Sequence, residues 1–159
     1  MVFLGSKKKY IKDICPIINK YIKENNITNF YDIFCGGSIV SENIECENIY
    51  ASDLSPTLIA LHQQAQKDFS QIPNEQTREQ FNYAKEQFNI IVKNLSDKKT
   101  LEDYQKLVSL PLYEIGALEW YASFSARGFN GGYGATAGSR NYFDERRRNH
   151  LKQSQDPNY

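Results

Sequence analysis

Residues 30–59 read FYDIFCGGSIVSENIECENIYASDLSPTLI, and this stretch decides the fold class. An apolar and aromatic run at 30–34 leads into the glycine pair Gly36–Gly37, which is typical of a buried strand followed by a turn. A second run at 48–52 ends at Asp53 and has the same composition. We therefore predict two strands joined by a segment that begins with a glycine turn.

Helices are predicted on both sides of these strands. Apolar residues at three-and-four spacing predict an amphipathic helix at 8–24, and Ser55 followed by Pro56 is typical of a helix start. This alternation predicts an α/β fold with a parallel sheet. Beyond residue 73 we find no strand pattern, and four helices are predicted at 75–94, 100–110, 112–126 and 142–153. A glycine-rich segment at 128–138 interrupts them and is predicted to be a loop, because glycine weakens a helix.

Composition limits the classes of protein that this chain can represent. Lysine plus arginine and aspartate plus glutamate number 19 each, so a strongly basic nucleic-acid coat protein is excluded and any DNA affinity must be local. Three cysteines without a C-x-x-C pair argue against a disulfide framework or a zinc site and favour a reducing cytoplasm. No apolar run reaches membrane-spanning length, so no membrane is expected as a partner.

The spacing of the glycine pair and the acidic residue indicates a ligand. Asp53 follows Gly36 by about 17 positions, a spacing with which open α/β sheets bind a nucleoside. Glycines let the main chain approach a ligand, and a carboxylate can accept hydrogen bonds from both ribose hydroxyls. The alternative is that the glycines form only a turn and that Asp53 is only a helix cap.

Several segments, in the same chain order, resemble those of the Dam-type adenine-specific DNA methyltransferases. Gly5–Lys7 resembles the family's G-x-K start, and Asp32–Ser38 resembles its D/E-P-F-x-G-x-G turn. Asp53–Ile59 resembles its D-I-N-x-x-L-I segment. Phe129–Tyr133 and Arg140–Tyr142 resemble the G-G-Y and R-N/D-Y segments of its phage-like branch. Two positions depart from the pattern, because Ser38 stands in place of the second glycine and Ile33 in place of proline.

The resemblance implies that S-adenosylmethionine is the cofactor. It implies that Gly36 and Gly37 border the methionine part, that Asp53 holds the ribose, that Lys7 lies near the cofactor carboxylate and that Asp32 meets the amino group or the sulfonium. The full set of implied cofactor-binding residues is Lys7, Asp32, Phe34, Cys35, Gly36, Gly37, Ser38, Asp53 and Leu54. These roles agree with electrostatics, since the cofactor brings an ammonium, a carboxylate and a cationic sulfur.

The resemblance also implies a division of the chain. Residues 1–70 would form part of a doubly wound, Rossmann-like methyltransferase sheet, and residues 71–159 would be a helical insertion that recognises double-stranded DNA. The implied DNA-binding residues are Arg127, Asn130, Tyr133, Arg140, Arg146 and Arg147. The alternative for the arginine run at 146–148 is that it solvates a helix and favours its carboxyl end.

The family's catalytic tetrapeptide D-P-P-Y has no convincing counterpart here. Asp156–Tyr159 resembles it superficially, but it follows a polar helix end rather than an apolar strand, and Asn158 replaces a proline. We therefore assign no catalytic residue, and we expect a truncated chain that is inactive alone. Its expected partners are a second chain with D-P-P-Y or a homo-oligomer that completes the sheet. A non-catalytic cofactor-binding remnant and a small DNA-binding module remain as alternatives.

The remaining conspicuous side chains are interpreted structurally. Trp120, Tyr121 and Phe124 have helical spacing and are predicted to lie in the core rather than to stack on bases. His62 and His150 lack acidic or thiol partners at metal-ligand spacing. Cys35 is not predicted to be a nucleophile, because its place in the turn requires only a small apolar side chain.

Overall fold

A computed structural model describes residues 6–95, 99–123, 128–134, 136–137 and 140–155. The helices and strands in chain order are α1 (Ile11–Glu24), β1 (Asn29–Asp32), β2 (Asn48–Ala51), α2 (Pro56–Asp68), α3 (Arg78–Lys93), α4 (Leu101–Gln105), α5 (Leu112–Ala122), β3 (Thr136–Ala137), β4 (Arg140–Asn141) and α6 (Tyr142–Ser154). The described part of the chain is thus mostly helical, with a small parallel sheet near its start.

Strands β1 and β2 pair in parallel, as the sequence predicted. Phe30 lies opposite Ile49 in the register, and both side chains pack on the apolar cluster formed with α1. Tyr31 lies opposite Tyr50, and their rings stack with centroids 4.9 Å apart. These tyrosines are 64% and 51% exposed, so helix α1 covers one face of the sheet and the aromatic pair lies open on the other.

The larger apolar core surrounds α5, which packs against α2, α3 and α6. Helix α5 crosses α2 closely at Gly116, where a Cβ atom would lie 2.3 Å from the carbonyl oxygen of Thr57. Leu61 and Ala65 of α2 belong to this core together with residues of α3 and α5. The strand-containing part of the chain and its helical part are therefore joined through α2.

Side-chain caps explain where the helices begin. The Ser55 hydroxyl accepts a hydrogen bond from the main-chain nitrogen of Leu58, which confirms the predicted start of α2. Thr77 and Gln80 form a capping box at α3, so this helix starts three residues later than the predicted 75. Helix α6 begins at Tyr142, as predicted.

The ends of β1 and α5 also differ from the prediction. The strand predicted at 30–34 ends at Asp32, and Ile33 and Phe34 form an exposed turn, after which the Cys35 nitrogen donates to the Ser52 carbonyl oxygen at 2.9 Å. Helix α5 ends at Ala122 rather than 126, because Ser123 is extended and bridges to Tyr133. Residues 124–126 lie outside the described residues.

The helical region also holds structure that the sequence did not indicate. Helix α4 covers only Leu101–Gln105 of the predicted 100–110. A two-residue antiparallel pairing joins β3 to β4 inside a region where no strand was predicted. Among the described residues, no helix is both long and apolar enough to cross a membrane.

Candidate functional site

The carboxyl ends of β1 and β2 bring the glycine turn and Asp53 together. The Oδ2 atom of Asp53 accepts a hydrogen bond from the main-chain nitrogen of Gly36 at 3.0 Å, and Oδ1 accepts one from the nitrogen of Ser55, also at 3.0 Å. The carboxylate is thus fixed between the turn and the start of α2. Two residues that the sequence linked only by spacing are in direct contact.

The turn has room for a ligand at Gly36. This glycine has a φ of +50°, and a Cβ atom added to it would meet nothing within 4 Å. Ser38 adopts a φ of +60°, which is costly for a residue with a side chain, by about 1–2 kcal/mol. The departure from the family pattern at this position therefore keeps the backbone shape for which glycine is preferred.

The other predicted cofactor residues differ in their exposure and in their contacts. Phe34 and Leu54 are 80% and 70% exposed and present apolar surface near the turn and Asp53. Asp32 accepts a hydrogen bond from the Ser41 hydroxyl at 2.8 Å. Lys7 is exposed in the 3-10 helix Lys7–Tyr10, which precedes α1.

Cys35 lies buried beneath the turn. Burial and the nearby carboxylates of Asp53 and Asp32 raise the pKa of its thiol to about 11. The thiol is therefore protonated at neutral pH, which agrees with the prediction that it is not a nucleophile.

The two histidines meet in the core behind the turn. The Nε2 atom of His62 donates to the carbonyl oxygen of Gly36 at 2.8 Å, and the His62 and His150 rings meet edge to face with centroids 5.4 Å apart. His150 in turn is hydrogen-bonded to the Tyr121 hydroxyl. Burial lowers the pKa of His62 to about 4 and that of His150 well below its usual value, so both rings are neutral at pH 7.

Sequence reasoning missed a buried glutamate that is linked through two hydroxyl groups to the segment after Asp53. Glu119 of α5 is 5% exposed, and its Oε2 accepts a hydrogen bond from the Thr57 hydroxyl at 2.9 Å. The Thr57 and Ser55 hydroxyls lie 3.1 Å apart, so this chain of contacts reaches the segment that carries Asp53. Burial raises the pKa of Glu119 to about 8, and the carboxyl is mostly protonated at neutral pH. Its only sequence signal is one acidic residue within an apolar run.

A cavity of about 410 Å³ lies between β2 and α2, on the face of the sheet that bears Ile49. Cys35, Ser38, Cys46 and His62 contribute to its wall, whereas Asp53 and Leu54 do not. Among the described residues, no group of three histidine, cysteine or acidic side chains is placed to hold a metal ion. Because the carboxylate of Asp53 lies outside the cavity, we place the candidate site at the open edge beside Gly36.

The predicted phosphate contact at Arg146 requires correction. Arg146 is 6% exposed, and its Nη1 atom donates to the carbonyl oxygens of Tyr121 at 2.9 Å, Trp120 at 3.3 Å and Ser123. The last carbonyls of a helix lack partners within the helix, and this guanidinium supplies one for α5. The side chain is therefore buried and hydrogen-bonded within the core, and it is not available to DNA.

Arg147 also packs inward. Its Nη2 atom donates to the carbonyl oxygen of Ile72 at 3.1 Å, and its guanidinium lies 4.9 Å from the centre of the Phe69 ring. On α6 the exposed basic side chains are instead those of Arg148 and Lys152. The arginine run thus anchors α6 as well as facing solvent.

The remaining predicted DNA residues are placed in part. Asn130 is exposed, and the half-buried Tyr133 ring lies 5.0 Å from the Arg78 guanidinium and 5.5 Å from the Phe81 ring. Arg127 lies outside the described residues, and Arg140 is described only by its main chain in β4. Tyr121 is fully buried and Trp120 packs on the core, as predicted, whereas Phe124 lies outside the described residues.

Parallel strands that lead into a glycine turn and a fixed carboxylate define an α/β protein with a candidate ligand site at the carboxyl edge of its sheet. Residues 3–156 match the model of the family described as D12 class N6 adenine-specific DNA methyltransferase, and the chain belongs to that family. This confirms the resemblance to Dam-type enzymes and implies DNA as the substrate. No curated protein and no solved structure matches the chain.

Proposed function

We propose that this chain binds S-adenosylmethionine at the carboxyl edge of β1 and β2, for transfer of its methyl group to the exocyclic amine of adenine in DNA. The observation that carries this proposal is the hydrogen bond from the Gly36 nitrogen to Asp53, with open space beside the glycine. Family membership supports the reaction class.

The residues at this edge suit the chemistry of the cofactor. Asp53 is fixed by two main-chain donors and retains lone pairs for ribose hydroxyls, since a carboxylate has about four acceptor sites. Exposed Phe34 and Leu54 offer apolar surface, Asp32 can accept from the ammonium, and Lys7 would pair with the carboxylate. The bound cofactor would supply an electrophilic methyl group, and the chain's own residues would orient it.

We further propose that β1 and β2 are part of a larger doubly wound sheet. Parallel sheets are normally buried on both faces, whereas the Tyr31–Tyr50 pair lies open. A two-stranded sheet is also only marginally stable by itself. A second polypeptide that carries D-P-P-Y, or a second copy of this chain, would complete the sheet.

Contact with double-stranded DNA is proposed for the region 128–155. Its support is the exposed Asn130 and the half-buried Tyr133 in the glycine segment and the exposed Arg148 and Lys152 on α6. Arg127 and Arg140 stay predicted contacts. Because the whole chain is neutral, such local basic groups would supply the electrostatic part of binding.

Asp53→Asn should weaken binding of S-adenosylhomocysteine by about 1.5–3 kcal/mol, the scale of hydrogen bonds to a charged group. Asparagine keeps the size of the side chain but removes its charge and one acceptor. Isothermal titration calorimetry measures the difference, with Asp13→Asn on the exposed face of α1 as the matched control. Equal affinities for wild type and Asp53→Asn would reject the ribose assignment. A wild-type chain that binds DNA but no adenosyl ligand would favour the DNA-binding module instead.

Replacement of both Arg148 and Lys152 by alanine should make DNA binding less dependent on salt. Removing one basic group from a phosphate lowers the slope of log affinity against log salt by about 0.9, so the double variant should show a slope shallower by about 1.8. Fluorescence anisotropy on an adenine-containing duplex gives these slopes. The paired substitution Lys20→Ala and Lys23→Ala on α1 is the control. If both double variants keep the wild-type slope, α6 does not contact the phosphates.

A further inference from the structure

The end of α6 reaches the glycine turn. Gln153 is 8% exposed. Its Nε2 atom donates hydrogen bonds to the carbonyl oxygen of Gly37, at 2.6 Å, and to the Glu42 carboxylate. From α2, His62 donates to the carbonyl oxygen of Gly36. Two consecutive carbonyls of the turn are therefore held by donors from two different helices.

These donors act where the backbone has the greatest freedom. Glycine loses more conformational entropy on folding than any other residue, so a turn with two adjacent glycines gains most from external restraint. In a planar trans peptide the carbonyl and the following N–H point in opposite directions. The described chain has no cis peptide. By holding the Gly36 carbonyl toward α2, His62 therefore directs the N–H of Gly37 away from α2.

Helix α6 supports the turn a second time through His150. The His150 ring packs edge to face on His62, and the Tyr121 hydroxyl of α5 holds it from behind. The Phe69 ring also packs on His150, with centroids 5.7 Å apart. The orientation of the His62 ring is thus set by α5 and α6 as well as by its own helix.

We propose that Gln153 and His62 are positioning residues for the cofactor, which hold the glycine turn in its ligand-binding shape without touching the ligand. This inference rests on the proposed function. It assigns a role in cofactor affinity to the last turn of α6, the helix that directly follows β4 and lies within the region predicted to contact DNA. Neither residue was among the site residues that the sequence predicted.

The test measures affinity for S-adenosylhomocysteine by calorimetry on the full chain. Gln153→Met keeps the length of the side chain but removes the donor, and it should bind about fivefold more weakly, within the range for one hydrogen bond. Gln155→Met, at an exposed position two residues later, is the matched control and should bind like wild type.

Two substitutions of His62, the second donor, distinguish a positioning role from a general effect of core packing. His62→Met should also bind about fivefold more weakly, whereas His62→Gln, whose amide nitrogen replaces Nε2, should stay within about twofold of wild type. Ile91→Val, in the core of α3, lowers stability without altering the turn and should leave affinity unchanged. Urea unfolding of each variant shows which of them are folded at the temperature of the titration.

The outcomes distinguish the two proposals. If wild type binds no adenosyl ligand, the proposed function fails and this inference fails with it. If wild type binds and the folded donor-free variants bind within twofold of it, the positioning role is rejected while the proposed function stands. Equal losses of affinity in His62→Gln and His62→Met would also reject it, because the donor would then be irrelevant. Should Gln153→Met fail to fold, the His62 pair decides.

Discussion

Arg146→Met should lower the free energy of unfolding by about 3 kcal/mol, because charge-assisted hydrogen bonds contribute about 1.5–3 kcal/mol each and buried carbonyls would be left without their donor. The guanidinium serves the carbonyls of Trp120, Tyr121 and Ser123 at the end of α5, and methionine can donate to none of them. Urea denaturation followed by circular dichroism measures the change.

Arg148→Met is the matched control, since this neighbouring arginine is exposed. Its effect should stay within about 0.5 kcal/mol, the usual range for surface positions. Equal destabilisation of the two variants would mean that the buried contacts of Arg146 add nothing beyond what an exposed arginine contributes, and it would contradict the role of Arg146 as a cap of α5.

Gly116→Ala should destabilise the chain by about 3 kcal/mol, at the upper end of the range for overpacked cores. The new Cβ atom would lie 2.3 Å from the Thr57 carbonyl oxygen and 3.2 Å from the Leu61 Cβ, so α2 and α5 would have to separate. In an exposed helix the same change would stabilise by about 1 kcal/mol, and the expected sign is therefore opposite to that of helix propensity. Thermal and urea unfolding both report it.

The comparison for Gly116 is Asn82→Ala on the exposed face of α3. That variant gains helix propensity without a new steric clash, and its stability should rise by a few tenths of a kcal/mol. A Gly116→Ala chain at least as stable as wild type would show that the close crossing of α2 and α5 does not contribute to the free energy of unfolding.

Local sequence signals predicted the strand-containing part of the fold well. Apolar runs before Gly36 and Asp53 identified both strands, because their composition and their turn residues agree. The Ser55 cap was predicted correctly, since capping depends only on neighbouring residues. The pairing of β3 with β4 was not predicted, because two-residue strands within a glycine-rich segment carry no periodicity.

At the site, contacts between residues far apart in the chain could not be predicted from the sequence. The spacing from Gly36 to Asp53 was informative because both residues lie next to strand ends. Arg146 was assigned to the surface by its charge, and only the position of the α5 end, 25 residues away at Tyr121, makes it a buried cap. Glu119 and Gln153 were missed for the same reason, since their partners lie in α2 and in the glycine turn.

The hydrogen bond between Gly37 and Gln153 joins residues 116 positions apart in the chain. During synthesis the glycine turn therefore leaves the ribosome long before the helix that holds it, by about 6–23 s at about 5–20 residues per second. For most of that interval the growing chain has both strands but lacks the donor for the Gly37 carbonyl. The Gly37 carbonyl acquires this donor only after translation has passed residue 153, so docking of α6 is the folding step that completes the restraint of the turn.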